Sequence, residues 1–138
     1  MGLWSFVKDA GKKVLGKDDP KKEDLLAEIK ALGLQADGLE IGLVGDKVTV
    51  GGKAVSQEMK EKVIVAVGNV DGIAEVEDSV EGTDPVLHTV EKGDTLWAIS
   101  KKTLGDGNRY NEIFEANKPM LSHPDKIYPG QVLRIPVA

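Results

Sequence analysis

Leu39-Glu-Ile-Gly-Leu-Val-Gly-Asp-Lys-Val-Thr-Val-Gly-Gly52 is the stretch on which the fold turns. Apolar side chains alternate with small or polar ones from Leu39 to Val44 and again from Val48 to Val50, the period of half-buried strands. Gly45-Asp46 between them can supply a two-residue hairpin turn, and Gly51-Gly52 breaks the return strand. Further along, Ser56 can cap a helix whose positive end is favoured by Glu58. Its apolar face is Met59, Val63, Ala66, Val67 and Val70. Asp71-Gly72 turns the chain again, and Ile73 to Val80 predicts a third strand. Ala74, Val76 and Val80 face the core there, while Glu75, Glu77, Ser79 and Glu81 face water.

Upstream of the hairpin, Leu25, Leu26, Ile29 and Leu32 form the buried stripe of a helix from Pro20 to Leu32. Asp19 caps it and Gly33 ends it. Leu3, Phe6, Val7, Ala10 and Val14 also fall at helical spacing. They predict a first helix over residues 3–14, packed on the core with Lys8 and Lys12 outward. An amphipathic helix lying on a membrane surface is the alternative. The order for this first part is α-α-β-β-α-β, a three-stranded sheet with helices over one face.

Glu81-Gly-Thr-Asp-Pro85 reads as a break, and the pattern after it differs. Leu87-His-Thr-Val90 is a strand. Asp94 or Thr95 caps a helix carrying Leu96, Trp97, Ile99 and Leu104, which Gly105-Asp-Gly107 stops. A second helix runs from Arg109 to Ala116, and Pro129-Gly130 turns the chain into the strand Val132-Leu-Arg-Ile135. The order is β-α-α-β, with the two strands antiparallel. The fold class is α+β in two small domains: an N-terminal α/β domain over residues 1–82, a linker at 83–85 and a second domain over 86–138.

Composition narrows the function. The chain has 138 residues and a formal net charge of −5. Residues 1–83 hold 16 acids against 11 bases and the rest hold seven of each, so all the net acidity lies in the first part. This balance argues against nucleic acid as a partner. Aromatics are 4% of the residues, so aliphatic side chains must form the cores. The absence of cysteine excludes disulfides, thiolate catalysis and cysteine metal sites. Lys8 and Asp9 interrupt the apolar start, so a secretory signal is not expected and the expected location is cytoplasmic. No nucleophile elbow, phosphate-binding loop or dinucleotide fingerprint appears, so no enzyme is expected. Membrane contact is not expected either, and a monomer is the default.

His88-Thr-Val-Glu-Lys-Gly-Asp-Thr-Leu-Trp-Ala-Ile-Ser100, Asn111-Glu-Ile-Phe-Glu-Ala-Asn117 and Ile127-Tyr-Pro-Gly-Gln-Val-Leu-Arg-Ile-Pro136 together resemble a LysM module. The resemblance implies binding of N-acetylglucosamine glycans. By position it places a groove at Gly93, Asp94, Thr95 and Leu96 on one loop and Asn117, Lys118, Pro119 and Met120 on the other. A turn at Gly93, a cap at Asp94 and a core residue at Leu96 explain the same residues without a ligand. Val48-Thr-Val-Gly-Gly-Lys-Ala-Val-Ser56 and Ala66-Val-Gly-Asn-Val-Asp-Gly-Ile-Ala-Glu-Val76 resemble a BON domain.

The two modules joined at this length resemble the bacterial cytoplasmic BON–LysM potassium-binding family. That resemblance implies a non-enzymatic K⁺ sensor or buffer that changes shape with ion occupancy. Carbonyl oxygens can replace the hydration shell of K⁺, so such a site needs a sharply turned backbone and leaves little side-chain signature. Two regions suit: the turn Gly68-Asn-Val-Asp-Gly-Ile-Ala74, with the carbonyls of Gly72 and Ile73, and the carbonyls of Val7, Ala10 and Gly11. Asp71 to Asp84 carries six acids and no base, a field that attracts cations. A solvated strand face and linker is the plainer reading of those acids. No calcium-loop pattern is present, and His88 and His123 lack an obvious third metal ligand.

Overall fold

The computed structural model describes residues 2–6 and 21–136 of the chain. Among them, the elements run β1 (Gly2–Ser5), α1 (Lys22–Ala31), β2 (Leu39–Val44), β3 (Lys47–Gly52), α2 (Gln57–Gly68), β4 (Glu75–Asp78), β5 (Leu87–Thr89), α3 (Leu96–Leu104), α4 (Tyr110–Ala116) and β6 (Val132–Arg134). A 3-10 turn, Gly107–Arg109, joins α3 to α4. β1 to β4 form one sheet in the order β1-β4-β3-β2, and β5 pairs with β6 in a second.

The hairpin behaves as its sequence predicts. Val44 lies opposite Lys47, so the turn is the two residues Gly45-Asp46, with Gly45 at φ 63°. Val50 pairs with Ile41 and Val48 with Leu43, which puts every second residue of both strands on the core face. β4 then lies parallel to β3, with Val76 opposite Val48. A parallel pair needs a long crossover, and α2 supplies it. Ser56 caps α2, its Oγ accepting from the Met59 amide at 3.0 Å. Leu25 and Ile29 of α1 join Val48, Val50, Val63, Val67, Ile73 and Val76 in the first core.

The first element differs from the expectation. Gly2–Ser5 is a strand antiparallel to β4, with Trp4 opposite Val76, and not the start of a helix; among the described residues the first part therefore reads β-α-β-β-α-β with a four-stranded sheet. Strand and helical spacing cannot be told apart over so few apolar residues, and the open edge of β4 decides in favour of pairing. The remainder of the expected helix, and the expected Asp19 cap, lie outside the described residues. α1 begins at Lys22, and the amide of Lys21 just before it donates to the Asp24 carboxylate at 2.8 Å. Leu26 is also displaced from its expected role. It is 41% exposed because the inward line of α1 runs through Leu25 and Ile29.

The second core is built by Val90, Leu96, Ile99, Ile113, Leu133 and Ile135. Thr95 is the cap of α3, accepting from the Ala98 amide at 3.1 Å, and Gly105 ends it at φ 81°. Trp97, carried by α3 as expected, is 48% exposed. Its ring lies against Gly107, where any Cβ would collide with it. No helix among the described residues is long and apolar enough to cross a membrane.

Helix α2 is buried on nearly every side, because the second unit packs on the face the first core leaves open. In β6 the amides and carbonyls of Leu133 and its odd-numbered neighbours face β5, so Val132 and Arg134 direct theirs away. Two asparagines complete that outer edge. Asn69, just past α2, accepts from Val132 N at 2.9 Å and donates to Val132 O at 2.8 Å. Asn117, just past α4, does the same for Arg134 at 2.8 and 2.9 Å. Arg134 then reaches back to Glu61 of α2 at 2.9 Å and to the Ala116 carbonyl at 3.0 Å.

Candidate functional site

At its C-terminus α2 runs into the turn that carries two of the expected cation ligands. The Asn69 amide closes the helix on Val65 O at 3.0 Å. The Ile73 amide donates to Val70 O at 3.2 Å, which makes Asp71-Gly72 the centre of a tight turn, with Gly72 at φ 97°. That positive φ strains any side chain, so glycine is needed there. Ala74 then joins the sheet: its amide donates to Asp46 O at 2.9 Å, and its carbonyl accepts from Phe6 N at 2.8 Å. Among the described residues, no backbone amide donates to the carbonyls of Asp71, Gly72 or Ile73. These oxygens belong to buried residues, where an unmet acceptor carries a desolvation cost.

Of the other expected ligands, Val7, Ala10 and Gly11 lie outside the described residues. Phe6, which precedes them in sequence, is buried. Its ring packs flat against Gly68, so a side chain at that glycine would overlap the ring. The strand-to-turn bond at Ala74 and the Phe6–Gly68 contact together hold Phe6 at the end of α2.

A second cluster, which the sequence did not reveal, lies at the other end of α2. Lys60 is 0% exposed, and its ammonium donates to the carbonyls of Thr83 at 2.8 Å and Val80 at 3.2 Å. The carboxylate of Asp78, also 0% exposed, stands 3.4 Å away. Its Oδ1 accepts from the Val80 amide at 2.9 Å. Gln57 grips both backbone groups of Thr83 and donates to Glu61 at 2.6 Å. Glu61 in turn holds Arg134. A continuous polar line thus runs from β4 through the segment joining the two units to β6.

The expected glycan-groove residues are divided by the structure. Gly93 makes a turn at φ 91°, and Thr95 is occupied as a cap. Asp94 accepts from the Glu91 amide at 2.9 Å and meets His88 Nε2 at 3.1 Å; the amide first and the imidazole second hold its carboxyl below the usual carboxylate value. Leu96 is core. Both amide atoms of Asn117 are committed to β6 and α4. Lys118 pairs with Glu115 at 3.1 Å and lies over the Phe114 ring, while Pro119 is exposed. Met120 packs on the first core and lines a cleft of about 160 Å³ between the units, beside Tyr128, whose phenol burial pushes up. The open concavity on this unit, about 400 Å³, is walled instead by Trp97, Tyr110, His123 and Pro124, and shares only Thr95 and Leu96 with the expected groove.

Comparison with known proteins finds relatives for the second unit and for the whole chain. The LysM domain family matches residues 88–136. An uncharacterized protein of Deinococcus radiodurans is 35% identical over 88% of this chain, which spans 39% of that protein's length. The spore coat assembly protein ExsA of Bacillus cereus is 42% identical over 36% of this chain, matching 7% of its own length. The potassium binding protein Kbp of Escherichia coli is 53% identical over 99% of each chain. With that degree of identity sustained through both units, the chain belongs to the family of the potassium binding protein Kbp.

Proposed function

We propose that this protein is a cytoplasmic, monomeric, non-enzymatic K⁺ binder that senses or buffers the ion. The observation that carries the reading is the full-length kinship to a protein named for potassium binding. The turn at the end of α2 supports it chemically. K⁺ is a large monovalent ion well suited to carbonyl oxygens, and the carbonyls of Gly72 and Ile73 are unclaimed by described amides. In this reading Val7, Ala10 and Gly11 contribute further carbonyls. Ion binding then ties the segment after Phe6 to the end of α2, and the chain compacts as it loads. The test is calorimetry of desalted protein against K⁺, Na⁺, Mg²⁺ and Ca²⁺, with small-angle scattering alongside. Saturable binding selective for K⁺, with compaction, is the expected result. No response to K⁺ at cellular concentrations overturns it.

The LysM match at 88–136 favours a second activity for the other unit, binding of N-acetylglucosamine glycans. The concavity walled by Trp97 and Tyr110 offers aromatic faces to such a ligand. Pull-down on peptidoglycan or chitin, lost in Trp97→Ala, tests it; no retention by the intact protein rejects it.

A further inference from the structure

The segment from Asn117 to Gln131 belongs to the second unit but is shared between both. Its ends are anchored. Asn117 is pinned between α4 and β6, and its carbonyl accepts from the Leu121 amide at 2.9 Å. At the other end the Gly130 amide donates to Val90 O at 2.8 Å, and the Gln131 amide closes a turn on Tyr128 O at 3.1 Å. Between these ends the apolar side chains divide. Leu121 and Ile127 enter the second core. Met120 packs on the first core, and Met120 and Tyr128 line the cleft that Leu32, Ala66 and Asn69 of the first unit complete.

The middle of the segment carries His123, Pro124 and Asp125, which form part of the concavity that also holds Trp97 and Tyr110. The hydrogen bonds of this stretch are its own. The Asp125 amide donates to His123 Nδ1 at 3.0 Å, and the Lys126 amide donates to His123 O at 3.1 Å. Among the described residues no hydrogen bond or ion pair joins residues 122–127 to α3 or α4. This wall of the concavity is therefore placed through its flanks. One flanking side chain on each side, Met120 before it and Tyr128 after it, rests on a surface that the first unit provides. Close-packed interiors transmit displacement, so a change in that surface moves the flanks and the wall between them.

We infer that Met120 and Tyr128 are positioning residues for the concavity: through them the first unit sets the wall of His123, Pro124 and Asp125, and with it the affinity of the second unit for glycan. The inference rests on the glycan reading above. The coupling is reciprocal, so a ligand in the concavity favours the closed cleft as much as the closed cleft favours the ligand.

Two variants of the full-length protein disturb the cleft from opposite sides: Met120→Ala in the segment, and Leu32→Ala in the first unit, at a residue that does not line the concavity. Calorimetry against a soluble N-acetylglucosamine oligomer is expected to show affinity reduced about fivefold or more in each, the lower end of ordinary coupling between sites. Met120→Leu, which restores the bulk, is expected to bind as the wild type does. The indole resonance of Trp97 and the ring resonances of His123 report the wall directly, and both are expected to shift in Leu32→Ala before any ligand is added. Should Met120→Ala fail to fold, Leu32→Ala and these resonances carry the test. Variants that melt lower yet keep wild-type affinity and unshifted resonances overturn the positioning role and leave the glycan reading standing. A wild type that does not bind the oligomer overturns the glycan reading, and this inference with it.

Discussion

Asp78 and Asp71 are both buried acids of the first unit, at the two ends of the path that leads into and along β4, and their surroundings match in kind but not in charge. Around Asp78 the chain places two backbone carbonyls, of Val80 and Thr83, and fills the space between with its own ammonium, from Lys60. Asp71 is followed in its turn by the carbonyls of Gly72 and Ile73, unclaimed by described amides, and its carboxylate oxygens are not among the buried unpartnered side-chain atoms. The same oxygen chemistry therefore serves two ends. With a tethered cation it is a permanent joint, independent of solution conditions. In the proposed potassium reading, the second arrangement is where a diffusible monovalent ion takes the part that Lys60 plays by covalent attachment.

The largest expected effect breaks the permanent side of this comparison. Lys60→Met leaves the Asp78 carboxylate buried without its partner, and loss of one member of a buried pair costs about 3–5 kcal/mol. Chemical denaturation should show that loss at every K⁺ concentration, since no ion replaces a side chain that fills the space. If K⁺ restored the variant's stability, the two clusters would be interchangeable and the distinction between them would fail. Next in size is Asn69→Ala, which orphans the amide and carbonyl of buried Val132 and should cost about 1–3 kcal/mol. Asn69 stands at the start of the Asp71 turn, so the same variant sharpens the comparison: K⁺ affinity should drop along with stability, whereas Asn117→Ala should lower stability alone. Gly68→Ala drives a methyl group into the Phe6 ring, an overpacking worth about 1–3 kcal/mol, and should weaken K⁺ binding by displacing the segment after Phe6.

The smallest effect concerns a third acid, partly solvated and paired with a titratable group. Asp94 has its pKa lowered by the Glu91 amide and by His88. A depressed carboxyl contributes stability that is present above its unfolded pKa and is lost as pH falls through the folded value. Asp94→Asn should therefore flatten the fall in stability below about pH 4, with little change near neutrality. A pH series of denaturant midpoints that leaves the acid limb unchanged would show that the pair contributes nothing to folding.

Much of the local architecture was legible because local chemistry dictates it. The Gly45-Asp46 turn, the Ser56 cap, the Thr95 cap and the order β-α-α-β of the second unit each follow from residues within a few positions of one another. The candidate turn was legible for the same reason, since Gly72 marks a backbone that must take positive φ. Three features were not. Gly2–Ser5 is too short for its period to be read, and the edge of β4 that captures it is distant in sequence. Trp97 could be placed on its helix, but not the contact of its half-exposed ring with Gly107. Lys60 reads as a solvated lysine on a helix face, because nothing nearby announces that residues 78–83 will close over it.

The sequence by itself determined the elements, their caps and turns, the lack of cysteine chemistry and the resemblance to two small modules, because each of these depends on short-range periodicity or on composition. Only the tertiary structure decided which charges are balanced. Glu61 meets Arg134 across a separation of 73 residues, Asn69 meets Val132 across 63, and Lys60 meets Asp78 in full burial. Burial and pairing are properties of the assembled core: they depend on which surfaces come together, and no window of the chain contains both sides of that contact.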